Sequence, residues 1–98
     1  MNREQILERL RAERPDLRTR FGVSGISLFG SAARNDFGPA SDVDVLVDFD
    51  RPITLFDIVA VQQHLEQCLG GRKVDVVPRD SLYPAFSAAI QREAVNVG

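Results

Sequence analysis

The chain has 98 residues, 44% of them apolar and 27% charged. Such a length holds one domain with one core and leaves no room for a second domain to enclose a large substrate; the composition excludes low-complexity disorder. The net charge is −2, from 12 basic and 14 acidic residues, without the basic excess that direct nucleic-acid binding normally needs.

The charge is unevenly spread. Residues 1–20 carry six Arg against four acids, whereas residues 36–57 carry six Asp against Arg51 alone. An acidic centre of that kind faces open water or holds cations. Cys68 is the single cysteine, which excludes an internal disulfide and a Cys-based zinc site and fits a reducing cytoplasm. The opening MNREQILERLRAERP lacks the apolar segment of a signal peptide, and no apolar run approaches membrane-spanning length.

In chain order, residues 2–14 read as a helix with an apolar stripe of Ile6, Leu7 and Leu10, ended by Pro15. A helical turn over 16–21 closes at Gly22. Residues 24–30 alternate Ile26 and Leu28 against Ser27 and Phe29, a strand pattern. Ser31 to Arg34 read as the first turn of a short helix, and residues 35–41 as a loop around Gly38-Pro39. Residues 42–49 place Val43, Val45, Val47 and Phe49 on one side and Asp42, Asp44, Leu46 and Asp48 on the other. Thr54 and Asp57 form a capping-box pattern opening a helix over 54–69, with apolar Leu55, Ile58, Val59, Leu65 and Leu69 and a stop at Gly70-Gly71. Residues 73–77 are a short strand ended by Pro78. Pro84 starts a last helix over 83–93 with Phe86 and Ile90 inward. The alternation predicts an α/β fold: a small mixed sheet of about three strands flanked by helices, in one domain over residues 1–98.

Asp42 and Asp44 share a strand face, with Cα atoms about 6–7 Å apart. Their charges repel by roughly 2–3 kcal/mol at an effective dielectric near 20, and a divalent cation turns that repulsion into coordination. Hard oxygen donors without His or Cys beside them suit Mg²⁺ or Mn²⁺. Gly30-Ser31 ends a strand and opens a helix, a place where backbone N–H groups and a hydroxyl can meet a phosphate. Arg34, three residues after Ser31, reaches the same side of that helix. Asp75 is the only acid in KVDVV and can converge on the other two across a sheet. Taken singly, each has a plain structural alternative: a solvated strand face, a Ser N-cap, a surface Arg, a strand-surface carboxylate. His64 reads as a solvated surface residue, Cys68 as a small core residue, and Tyr83 and the six Phe mostly as core.

Together, Gly30-Ser31, ten intervening residues and Asp42-Val43-Asp44 resemble the signature of the DNA polymerase β-like nucleotidyltransferases. The resemblance covers ISLFGSAARNDFGPASDVDVLVDF, KVDVVPRDSLYPAF and AIQREAV, and is nearest to the minimal nucleotidyltransferases. One departure is Asn35, where such proteins often have Gly; it affects the loop and removes no ligand. The resemblance implies that Asp42, Asp44 and Asp75 are catalytic and hold Mg²⁺, two ions in the full site. It implies that Gly30, Ser31 and Arg34 bind the phosphates of ATP or another NTP. It also implies a partner: a small helical HEPN-domain toxin, modified on a tyrosine hydroxyl, with this chain as antitoxin. Two rivals stand beside it. One is a non-catalytic antitoxin that neutralises by contact. The other is a phosphatase or receiver-type domain, which usually needs a Lys and a Ser or Thr on later strands, whereas Lys73 is the one lysine here.

Overall fold

The computed structural model describes residues 2–34, 42–81 and 84–97, with side chains left aside for 84–87. The elements are α1 (Arg3–Phe21), β1 (Val23–Phe29), α2 (Gly30–Arg34), β2 (Val43–Phe49), α3 (Leu55–Cys68), β3 (Val74–Pro78), a 3₁₀ turn (Arg79–Ser81), α4 (Pro84–Glu93) and β4 (Val95–Asn96). The sheet order is β3-β2-β1-β4. The pairs β1–β2 and β1–β4 are antiparallel, and β2–β3 is parallel. The mixed α/β fold is the one the alternation predicts, with a fourth strand added. That strand is two residues long and carries no readable period. It is held because Val97 is fully buried, the Val97 N–H donates to the Ile26 carbonyl at 3.1 Å, and Arg11 Nε donates to the Val97 carbonyl.

Pro15 does not end the first helix. The structure runs through it to Gly22, whose left-handed backbone (φ 70°) closes the end. A proline inside a helix costs about 3 kcal/mol. Continuation wins because the next turn delivers Leu17, fully buried, to the cluster that already holds Ile6, Leu7 and Leu10. The start is set by a capping box in which Asn2 Oδ1 accepts from the Gln5 N–H and Gln5 Oε1 from the Asn2 N–H, both at 2.9 Å.

Val43, Val45 and Val47 of β2, with Ile26 and Leu28 of β1, bury against α1 and α3 in one core. Leu46 is also fully buried but lies outside that cluster, on the other face beside Ser27. On that second face Arg79 donates to Asp48 at 2.8 Å and to the Ser27 hydroxyl at 3.3 Å, so the chain after β3 folds back over the sheet.

The α3 start is as expected: Asp57 Oδ2 accepts from the Thr54 N–H at 2.7 Å. Its inward face is not. Val61 and Leu65 are buried, with Leu69 just beyond, whereas Leu55 and Phe56 are 73% and 86% exposed and Val59 also faces out. Leu55 and Val59 lie four residues apart on one face, which turns away from the sheet. Phe56 is thus an exception to the expectation that the Phe residues are mostly core. The 35–41 loop, with Asn35 and Gly38-Pro39, and Tyr83 lie outside the described residues, as does the side chain of Phe86; Ile90 is half-buried.

Candidate active site

Register assembles the site. Phe29, the last residue of β1, pairs with Asp44 of β2, and Asp44 pairs with Asp75 of β3. Asp42 precedes Asp44 by two residues and so shares its face; the N–H of the intervening Val43 donates to the Lys73 carbonyl at 2.9 Å. Three acidic residues thus lie at one end of two parallel strands. Val43 and Val45 point into the core, so the acids project from the face opposite α1 and α3.

Gly30 is required at its position twice over. Its backbone is left-handed (φ 69°), and a Cβ there would come within 2.5 Å of Asp44 Oδ2. The Asp44 carboxylate therefore lies against bare backbone at the turn into α2. Asp44 is half-buried, whereas Asp42 and Asp75 are exposed. Burial holds the Asp44 carboxyl above its usual range; the charges of Asp75 and Asp42 add to the shift, and Arg34 opposes it. These influences place Asp75, Asp42 and Arg34 within electrostatic reach of Asp44.

Arg34 closes α2, whose Ala32 and Ala33 are buried in the core and whose Ser31 is half-buried. The guanidinium is not simply solvated: Nη1 donates to Glu93 Oε2 of α4 at 3.2 Å. Arg3 of α1 donates to the Ala33 carbonyl at 3.0 Å, which anchors α2 from the other side. Glu93 is a site neighbour that sequence reasoning missed, since nothing in the chain pattern links residues 34 and 93.

The sequence-predicted site residues lie in this one region: Asp42 just before β2, Asp44 on β2, Asp75 on β3, and Gly30, Ser31 and Arg34 along α2. Carboxylates without His or Cys beside them are the hard-oxygen type of donor that Mg²⁺ takes, and a cation near Asp44 would offset the charges of Asp75 and Asp42 that help to raise it.

Fold and site together point to an enzyme class that transfers phosphate-bearing groups. Residues 4–97 match the nucleotidyltransferase domain family, and the chain belongs to it. A protein adenylyltransferase of Thermococcus cleftensis is 40% identical over 94 residues, covering 96% of this chain and 94% of that protein. A solved structure assigned to the minimal nucleotidyltransferases superposes with a TM-score of 0.76 at 37% identity, covering 97% of this chain and 95% of the other. A second solved structure holds a tri-AMPylated HEPN toxin of Shewanella oneidensis in complex with an MNT antitoxin. There the TM-score is 0.62 at 21% identity, over 99% of this chain and 69% of the other, a likeness of fold.

His64 departs from the sequence reading. It is not a solvated surface residue: its side chain is only 15% exposed, Nε2 lies 3.0 Å from Glu13 Oε2, and its ring packs on Phe21 at 5.4 Å. Cys68 is half-buried beside it. The cause is the α1–α3 contact, which turns this face of α3 toward α1.

Proposed function

We propose that the chain is an ATP-dependent protein adenylyltransferase that transfers AMP to a tyrosine hydroxyl of a small helical HEPN-type toxin, and so acts as an antitoxin. The observation that supports this reading is the register that pairs Asp44 with Asp75, together with the Asp44 carboxylate lying against Gly30. Asp75 lies on an edge strand and is exposed, so an acceptor can arrive on another molecule.

Asp42 and Asp44, with Asp75 completing the set, would hold the Mg²⁺ ions. Bound there, Mg²⁺ offsets the charge on the attacking and leaving oxygens. Gly30 brings bare backbone close to the β- and γ-phosphates, and Ser31 adds a hydroxyl donor. Arg34 supplies positive charge to the departing pyrophosphate, with Glu93 fixing its guanidinium. The acceptor oxygen bonds to the α-phosphorus as the bond to the bridging oxygen breaks. Pyrophosphate leaves, and the hydroxyl proton passes to Asp75.

The test is labelling of the purified toxin with ATP and Mg²⁺. Label should appear on the toxin with the wild-type chain and not with Asp44→Asn. Neutralisation that survives in Asp44→Asn without labelling would establish an antitoxin acting by contact. Label on a free small molecule such as an aminoglycoside, with no toxin present, would establish a stand-alone transferase.

A further inference from the structure

A second cluster of ligand-type side chains lies away from the acids, in the contact between α1 and α3. His64 and Cys68 are four residues apart on α3 and therefore share a face. Glu13 faces them from α1. A carboxylate oxygen of Glu13, a ring nitrogen of His64 and the Cys68 sulfur all lie within 4.8 Å of one another. Glu13 Oε2 and His64 Nε2 are 3.0 Å apart. Tetrahedral zinc, with bonds of about 2.0–2.3 Å, spaces its donors by about 3.3–3.8 Å. The three donors, all within 4.8 Å of one another, lie near that spacing.

The surroundings are those of a prepared site. All three side chains are partly buried. The Phe21 ring restrains the imidazole, and Arg9 donates to the Cys68 carbonyl at 3.1 Å, which holds the end of α3 against α1. Burial and the nearby Glu13 carboxylate push the Cys68 thiol up to about 11, which disfavours a free thiolate. One cysteine excludes a cysteine-rich zinc site, but a mixed set of one sulfur, one nitrogen and one oxygen needs only one.

We propose that Glu13, His64 and Cys68 form a second metal site that takes one borderline-soft divalent ion, Zn²⁺ by donor type, and ties α1 to α3. Thiolate and imidazole donors select against Mg²⁺, so the site does not compete for the ion of the acidic centre. On binding, the metal replaces the thiol proton, which leaves to solvent; His64 binds as neutral imidazole and Glu13 as carboxylate. The fourth position is open to water.

The test uses the full chain with Mg²⁺ in excess and Co²⁺ as the spectroscopic probe. One Co²⁺ per chain should give thiolate-to-cobalt charge-transfer absorption, and Zn²⁺ should displace it. The absorption should vanish in Cys68→Ser, persist unchanged in Asp44→Asn, and need at least about tenfold more Co²⁺ in His64→Gln and Glu13→Gln. Zn²⁺ should raise the melting temperature of the wild type and not of Cys68→Ser. Absence of the charge-transfer band at one equivalent in the folded wild-type chain would overturn the proposal. So would unchanged Co²⁺ affinity in both His64→Gln and Glu13→Gln, or an unmoved melting temperature.

Discussion

The acids at the strand ends and the Glu13–His64–Cys68 cluster are both groups of titratable side chains from separate elements, yet they are built on opposite terms. Backbone register sets Asp44 beside Asp75, and burial first, with the like charges of Asp75 and Asp42 adding to it, holds Asp44 above its usual range. In the helical cluster the groups satisfy one another: Glu13 lies within hydrogen-bond distance of the His64 ring. Repulsion built into a fold needs an outside partner to relieve it; a satisfied cluster contributes to packing with or without one.

That contrast can be broken experimentally, and the largest effect should come from Asp44. Asp44→Asn should cut adenylyl transfer by at least about 10²-fold, comparable to removing one strong electrostatic stabiliser. Full activity of this variant in Mg²⁺ would remove the acidic centre from the mechanism. Gly30→Ala should lower transfer by at least about tenfold and stability by about 1–2 kcal/mol, from a left-handed backbone and a methyl driven onto the Asp44 carboxylate. Denaturant melts and turnover rates measure the two losses separately.

Arg34→Ala should weaken ATP binding by about tenfold in calorimetry while leaving the melting temperature nearly unchanged, because its pairing with Glu93 is half exposed. Unaltered affinity would move the phosphate site elsewhere. The smallest effect sharpens the comparison most. The raised Asp44 carboxyl binds protons more tightly folded than unfolded, so stability falls as pH rises from the ordinary carboxylate value of 3.8 through the folded-state value. Without divalent metal, Asp44→Asn should therefore melt slightly higher than wild type at pH 7. The gain should disappear below that window, where Asp44 is already neutral. A gain that persists at low pH would have to come from packing.

Much of this was legible in the chain. The alternation in residues 42–49 orients Asp42 and Asp44 before any partner strand is known, and Gly30-Ser31 at a fixed distance before them marks the turn. What could not be read depends on contacts distant in sequence. Arg34 meets Glu93 across 59 residues, and His64 meets Glu13 across 51. Pro15 misleads because local propensity weighs about 3 kcal/mol against the helix, whereas burial of Leu17 is settled only when the sheet is present. Phe56 misleads in the opposite sense, since hydrophobicity alone does not say which face of α3 meets the core.

The sequence by itself determined which residues carry charge, which strand faces they occupy, and that a bare glycine precedes the acids, because these follow from a period of two and from side-chain chemistry. Only the tertiary structure decided that Asp75 stands beside Asp44 in register, that Gly30 leaves room for that carboxylate, and that Glu13, His64 and Cys68 meet between two helices. Strand pairing and helix packing join segments that no local pattern links, and the energy that selects among such joinings belongs to the shared core and not to any one segment.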